Sequence, residues 1–229
     1  MQSVAQRIRA VLLDALGTLL TFEPPAPHLR TALRERLGVE VSDDVATAAI
    51  RAEIAYYRSH LHEGRDAASL DDLRRRSAEA MRPVLGIDGD LTGALLASLR
   101  FVAYPDAAPA LRELRALRLR LVVVSNWDAS LHQRLEETGL APLVDGAVAS
   151  AELGHAKPGR AIFAHALALA GAPPGAALHA GDSPDADVTG ALAAGLRAVL
   201  VARDGASPAP DGVPVVRSLA ELPALCQYP

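Results

Sequence analysis

The sequence predicts an α/β protein with a doubly wound parallel-sheet core and an inserted all-helical cap domain. Short apolar runs recur along the chain with helical segments between them. These runs are continuous rather than alternating, which is typical of parallel strands covered on both faces. In addition, 105 residues separate the first run, which ends at residue 13, from the second, which begins at residue 119. One crossover helix needs far fewer residues, so we expect a separate helical insertion there.

The core elements follow from this alternation. Strands are predicted at 10–13, 119–124, 147–149, 177–180 and 198–201, where the runs are short and apolar. Helices are predicted between them, at 107–117, 130–138, 160–170 and 184–194. A loop rich in proline and glycine is predicted for 205–214.

The insertion is predicted to be helical throughout, from about residue 21 to residue 103, with helices at 28–37, 43–62, 70–84 and 91–100. Ser42-Asp43 and Ser69-Leu70-Asp71-Asp72 are helix-start signals. Pro24 and Pro105 mark the joints. We therefore predict a core domain at 1–21 and 104–229 and a helical cap domain at 22–103.

The composition excludes several functional classes. The net charge is −4 and only eight of the 229 residues are aromatic, so the chain lacks the basic, stacking surface that nucleic acid requires. No apolar stretch reaches the length of a membrane span. The single cysteine allows no internal disulfide, and we expect a cytoplasmic location. Composition leaves the oligomeric state open.

Polar residues follow the ends of the predicted strands. In an open parallel sheet these ends meet at one crevice, so residues far apart in sequence can share a site. Lys157 is the only lysine beside 22 arginines, which suggests a role for a compact point charge. The polar residues of the predicted site are Asp14, Thr18, Ser125, Asn126, Lys157, Asp182 and Asp187.

This set is suited to phosphoryl transfer through a covalent aspartyl phosphate on a small phosphorylated substrate. Asp14 would attack phosphorus as the nucleophile. The other proposed catalytic or substrate-binding residues, which would hold the phosphoryl oxygens, are Thr18, Ser125, Asn126 and Lys157. Mg²⁺ is the expected cofactor, since it prefers oxygen ligands. Its predicted ligands are Asp14, the backbone carbonyl of Leu16, Asp182 and Asp187.

In order and spacing, these motifs resemble the haloacid dehalogenase (HAD) superfamily of hydrolases. The resemblance covers essentially the whole chain and implies a Rossmann-like core, with the insertion in the place of the superfamily's helical C1 cap. The runs Ser125-Asn126-Trp127-Asp128 and Leu178-His179-Ala180-Gly181-Asp182-Ser183 are most similar to the HDHD3 or REG-2-like branch.

One position departs from the phosphatase pattern that the resemblance implies. Phosphatases of the superfamily usually have a second aspartate two residues after the nucleophile, as general acid and base; here Leu16 occupies that position. A leucine side chain cannot transfer a proton, a role worth ~10²- to 10⁴-fold in rate. The preferred hypothesis is a magnesium phosphatase acting on esters whose leaving groups need little protonation, or borrowing an acid from the cap or the substrate.

Three alternatives remain to be weighed against that hypothesis. Haloacid dehalogenases share the Asp14-Ala15 pair, but they need no magnesium and carry Ser-Ser-Asn where this chain has Gly181-Asp182-Ser183. Phosphonatases use a cap lysine, and the only lysine here is assigned to the core, so that class is nearly excluded. A phosphate- or partner-binding protein with little or no turnover is the last alternative.

Overall fold

The computed structural model describes residues 7–205 and 210–227, which fall into two compact units. The core unit contains the chain up to Thr21 and from Ala103 onward, and the inserted unit is Phe22–Val102. Each unit has a hydrophobic cluster of its own. Part of the loop predicted for 205–214 lies outside the described residues.

Parallel strands form the sheet of the core unit. The strands of the chain are β1 (Ala10–Leu13), β2 (Leu20–Phe22), β3 (Phe101–Ala103), β4 (Arg120–Ser125), β5 (Gly146–Ala149), β6 (Ala177–Gly181), β7 (Arg197–Val201) and β8 (Val215–Val216). Six of them make one parallel sheet in the order β5-β4-β1-β6-β7-β8. This sheet confirms the predicted α/β class.

The first strand lies inside the sheet, and its composition explains why. Every residue of β1 is fully buried, and the strand pairs with β4 on one side and β6 on the other. Leu12 and Val122 share a hydrophobic cluster with Phe163 of the helix Arg160–Ala170. An all-apolar strand with neighbours on both edges and a helix on its face is the buried parallel strand that the sequence predicts.

Helices flank the sheet and make up most of the inserted unit. Those of the inserted unit are α1 (Pro25–Leu37), α2 (Asp43–His60), α3 (Ala67–Glu79), α4 (Arg82–Leu85) and α5 (Leu91–Ser98). Those of the core unit are α6 (Ala107–Ala116), α7 (Leu131–Glu137), α8 (Ser150–Leu153), α9 (Arg160–Ala170), α10 (Gly190–Ala193) and α11 (Leu222–Gln227). Among the described residues, none of these helices combines the length and apolarity needed to cross a membrane.

The prediction that the insertion is helical throughout is wrong at its two ends. There β2 and β3 pair as a separate two-stranded sheet. The rings of Phe22 and Phe101 meet edge to face, with centroids 6.2 Å apart, and the amide of Glu23 donates to the carbonyl of Arg100. Short aromatic segments favour strands once a partner is adjacent, and the partner here is about 80 residues away in sequence.

The helix predicted at 70–84 begins earlier and is interrupted. The side chain of Asp66 accepts the amide hydrogen of Ser69, and the Ser69 hydroxyl accepts that of Asp66, a capping box that starts α3 at Ala67. Ser69 is therefore the third helical residue rather than the cap. Near the other end Pro83 has no amide hydrogen to donate, and α3 stops at Glu79 before α4 begins.

The helix predicted at 184–194 is a wide π-helical turn, Pro184–Thr189, followed by the short α10. The amides of Asp187 and Val188 both donate to the carbonyl of Ser183. An Asp187 carboxylate oxygen accepts the Ser183 amide hydrogen at 2.9 Å, which turns the side chain back toward the end of β6. Such turns are frequent at functional sites, and local periodicity does not indicate them.

Candidate active site

The candidate site lies at the carboxyl ends of three adjacent strands of the core unit. Leu13 of β1 pairs with Val123 of β4 and with Ala180 of β6, so the residues that follow emerge at one edge. The amide of Asp14 donates to the carbonyl of Ala180 at 2.9 Å, extending this pairing past the end of β1. Because β1 lies between β4 and β6, Asp14 emerges between the residues that follow β4 and those that follow β6.

Asp14 is buried and has two donors on one of its oxygens. Oδ1 accepts a hydrogen bond from Ser125 Oγ at 2.9 Å and from Lys157 Nζ at 2.6 Å. Burial raises the pKa of Asp14 and the charge of Asp187 adds to that effect, while Lys157 opposes it. The ionised form of Asp14 therefore depends on positive charge nearby.

Lys157 connects two carboxylates inside the protein. Its Nζ lies 2.6 Å from Asp14 Oδ1 and 2.5 Å from Asp187 Oδ1, and the residue is only 5% exposed. Burial alone would lower the pKa of Lys157, but the two carboxylates outweigh it and raise the pKa above its usual value. The ammonium is thus kept charged. The sequence predicts a role for Lys157 at the site but not its ion pair with Asp187.

Asn126 holds the main chain of Lys157. Its Oδ1 accepts the Lys157 amide hydrogen at 2.8 Å, and its Nδ2 donates to the Lys157 carbonyl at 3.0 Å. The sequence predicted Asn126 as a substrate ligand. That role stays a prediction, while these two bonds fix the loop that carries the ammonium.

Asp187 accepts three hydrogen bonds. Lys157 and His179 both donate to Oδ1, His179 Nε2 at 2.8 Å, and the Ser183 amide donates to Oδ2. Burial acts to raise the pKa of Asp187, but Lys157 and His179 outweigh it and hold the pKa well below its usual range. Asp187 therefore stays a carboxylate and fixes the position of the ammonium.

His179 is the site residue that sequence reasoning missed. It is fully buried in β6, with its ring edge-on to Phe163 at a centroid distance of 5.1 Å. Among the described residues its Nδ1 has no hydrogen-bond partner. A polar side chain within an otherwise apolar strand that ends at the site was the available signal.

Three carboxylates come close enough to share one cation. Asp14, Asp182 and Asp187 each offer an oxygen, and these oxygens lie within 4.8 Å of one another. Asp182 is exposed, yet partial desolvation and the charges of Asp14 and Asp187 raise its pKa to about 6. Two glycines allow this approach: a Cβ on Gly17 would lie 2.2 Å from Asp182 Oδ2, and one on Gly181 would lie 2.1 Å from Asp187 Cγ.

The turn after Asp14 holds two oxygens that have no partner among the described residues. The Thr18 hydroxyl is fully buried and unpaired, and no hydrogen bond reaches the carbonyl oxygen of Leu16. The Leu16 side chain is half-buried and offers no proton. These oxygens and the three carboxylates form an all-oxygen donor set with an excess of negative charge over Lys157. That set fits a hard divalent cation such as Mg²⁺.

Comparison with known proteins identifies the family. A sequence profile described as "Hydrolase: haloacid dehalogenase-like hydrolase" matches residues 8–195. The chain belongs to the haloacid dehalogenase-like hydrolase family. Within this family it is similar to the bovine haloacid dehalogenase-like hydrolase domain-containing protein 3, with 42% identity over 96 residues, 42% of this chain and 38% of that protein. The predicted branch is thereby supported.

Other similar proteins have names that state different activities. A phosphoserine phosphatase of Thermus thermophilus is 36% identical over 119 residues, 52% of this chain and 48% of that enzyme. Each of these two sequence matches therefore spans less than half of the relative's length. Among solved structures, a HAD phosphatase from Thermococcus onnurineus has a TM-score of 0.65 and 26% identity, covering 95% of this chain and 97% of that chain. A 2-haloacid dehalogenase from Pseudomonas syringae has a TM-score of 0.64 and 27% identity, covering 95% of this chain and 97% of that chain.

Proposed function

We propose that this hydrolase is a Mg²⁺-dependent phosphatase that transfers a phosphoryl group from a small phosphorylated metabolite to Asp14 and then to water. The observation that carries the proposal is the cluster of Asp14, Asp182 and Asp187, two of which, Asp14 and Asp187, pair with the buried ammonium of Lys157. A dianionic phosphoryl group needs positive charge beside its nucleophile, which Lys157 and a cation bound by the carboxylates would supply.

The first step forms a bond between a carboxylate oxygen of Asp14 and phosphorus, and breaks the bond between phosphorus and the leaving oxygen. Ser125 and Lys157 already hold Asp14 and would donate to the phosphoryl oxygens as they approach. The unpaired hydroxyl of Thr18 supports a similar role. Water then attacks phosphorus, releases phosphate and restores the Asp14 carboxylate.

Asp14, the Leu16 carbonyl and Asp182 would hold the cation, with Asp187 close enough to contribute. Bound there, Mg²⁺ would offset the negative charge that gathers on the phosphoryl oxygens. Asp187 is the weakest of these ligands, because its oxygens already accept three hydrogen bonds. The main contribution of Asp187 is to keep the Lys157 ammonium beside Asp14.

Leu16 restricts the substrate. With no carboxyl group at this position, the leaving oxygen receives no proton from the turn. We therefore propose substrates whose leaving groups depart as stable anions, such as aryl, acyl or anhydride phosphates.

The lone cysteine supports a reducing compartment such as the cytoplasm as the place of action.

Phosphate release from p-nitrophenyl phosphate tests the proposal. We expect turnover that requires Mg²⁺, stops when EDTA is added and disappears in an Asp14→Asn variant, which keeps the shape of the side chain but not its nucleophile. No turnover by the wild-type protein, with phosphate still bound in the presence of Mg²⁺, would instead identify a binding protein.

The second candidate is a haloacid dehalogenase. Leu16 and the likeness to the Pseudomonas syringae dehalogenase favour it, whereas the acidic pair Asp182 and Asp187 would repel each other without a cation between them. Chloride release from 2-chloropropionate without added metal would support this candidate over the phosphatase.

A further inference from the structure

Arg203 follows β7 and reaches the turn that carries the nucleophile. Its Nη2 donates to the carbonyl oxygen of Thr18 at 2.6 Å. Its Nη1 and Nη2 also pair with the two carboxylate oxygens of Asp106, at 3.1 and 3.0 Å. The guanidinium carbon lies 3.6 Å from the centroid of the Tyr104 ring. All these residues belong to the core unit.

The turn itself is small and has few bonds to the rest of the core unit. Within it, the amides of Leu19 and Leu20 donate to the Ala15 carbonyl at 2.8 Å. The Gly17 amide donates to the Leu20 carbonyl at 2.8 Å. Beyond these, the Tyr104 amide donates to the Leu19 carbonyl at 3.0 Å. The guanidinium of Arg203 therefore supplies the hydrogen bond from a charged group that holds the turn at the carbonyl of Thr18.

Asp106 is held firmly enough to orient the guanidinium. Besides Arg203, its carboxylate accepts from Ser218 Oγ at 2.7 Å and from the Leu219 amide at 2.9 Å. Burial acts to raise the pKa of Asp106, but these donors outweigh it and lower the pKa below its usual value. Asp106 thus remains an anion whose position is fixed from both sides.

We propose that Arg203 is a positioning residue for catalysis: clamped by Asp106 and Tyr104, it holds the Thr18 carbonyl and so fixes the turn that carries Asp14. The catalytic part rests on the proposed function, but the structural part does not. Arginine is required because one planar group serves an aromatic face, a carboxylate and a carbonyl together, which an ammonium cannot do.

Hydrogen exchange of the turn amides tests the structural part. In an Arg203→Lys variant we expect the amides of Leu19 and Leu20 to exchange about 10-fold faster or more, while those of Leu12 and Leu13 in β1 keep their rates. The control is Arg120→Lys, which alters an ion pair between the exposed Arg120 side chain and Asp145 in the same unit. Unchanged exchange at Leu19 and Leu20 overturns the proposal.

Steady-state kinetics test the catalytic part. Misplacing the nucleophile should lower kcat of Arg203→Lys by about 10- to 100-fold with a smaller change in KM, because Ser125 and Lys157 come from other elements. A variant that is only less stable would keep kcat per folded molecule. If the wild-type protein turns over no phosphate ester, the proposed function fails while the exchange experiment still decides on Arg203.

A second variant covers the case in which Arg203→Lys does not fold. Asp106→Asn leaves the guanidinium in place but removes the charge that orients it. We expect faster exchange at Leu19 and Leu20 and a lower kcat, both by smaller factors than for Arg203→Lys. Wild-type values for both quantities in Asp106→Asn would contradict the proposed clamp.

Discussion

Leu16 is the residue that most limits the chemistry of this site. It lies two positions after Asp14, in the turn where Gly17 donates to Leu20, and its side chain is half-buried. The backbone there can still present its carbonyl oxygen. For the proposed phosphatase reaction, the turn lacks a group that gives a proton to the leaving oxygen and takes one from the attacking water.

We predict that Leu16→Asp increases kcat/KM for alkyl and sugar phosphates by more than for p-nitrophenyl phosphate. Alkoxides are poor leaving groups, so a positioned general acid increases the rate of their departure by up to ~10²- to 10⁴-fold. Nitrophenolate needs little protonation, so its departure is accelerated less. Phosphate release from a panel of esters, with Mg²⁺ present, measures the difference.

The matched control is Leu16→Asn, which has nearly the same shape as the aspartate and cannot transfer a proton. It should leave the substrate preference of the wild-type protein unchanged. Equal gains on all leaving groups, or the same gains in both variants, would contradict the account of Leu16.

At the scale of elements, α2 buries a carboxyl group without a partner. Glu53 lies on the same face as Ala46, Ala49 and Ile50, following their spacing of three and four residues. It is 4% exposed, and no hydrogen bond or ion pair reaches it from the described residues. Burial raises its pKa from the ordinary 4.5 to about 7.

This raised pKa makes the inserted unit less stable as the pH rises. Between pH 4.5 and about 7 the folded state binds more protons at Glu53 than the unfolded chain does, so the free energy of unfolding falls across that window. We predict that Glu53→Gln stabilises the unit at pH 8 by up to about 3 kcal/mol and leaves it nearly unchanged at pH 4. Urea unfolding at a series of pH values measures both.

Glu35→Gln is the control, since Glu35 is an exposed glutamate on α1 of the same unit. Its unfolding free energy should follow that of the wild-type protein at every pH. A Glu53→Gln variant with the same pH dependence as the wild-type protein would show that the Glu53 carboxyl is not the group responsible.

At the scale of the whole molecule, folding brings three carboxylates close together, and a bound cation would reduce the repulsion between them. Asp14, Asp182 and Asp187 are brought within 4.8 Å of one another, with Lys157 as the neighbouring cation. The unfolded chain has no such cluster, so a metal that binds the folded state shifts the folding equilibrium.

We predict that Mg²⁺ raises the Tm of the wild-type protein, by an amount equivalent to about 2.7 kcal/mol when Mg²⁺ is at 100 times its Kd. Asp182→Asn should abolish most of this increase, and chelation with EDTA should reverse it. Thermal unfolding with increasing Mg²⁺ measures the effect. The control is Asp185→Asn, an exposed aspartate three residues away, and an equal response in both variants would place the metal elsewhere.

Much of the core unit could be predicted from local pattern. The bounds predicted for β1 and α9 are those observed, because a continuous apolar run and an amphipathic run are set by neighbouring residues. The paired strands at the ends of the inserted unit and the π-helical turn at Pro184 could not be predicted in this way. Each depends on a partner that local periodicity does not include.

The sequence by itself determined which chemical groups stand at the ends of the strands, and hence the hydrolase family. Tertiary structure alone decided what each group contacts. Lys157 bonds to Asp14, 143 residues away, and also to Asp187, which in turn holds His179. Strand order, register and burial set these distances and pKa values, and they arise only when segments remote in sequence pack together.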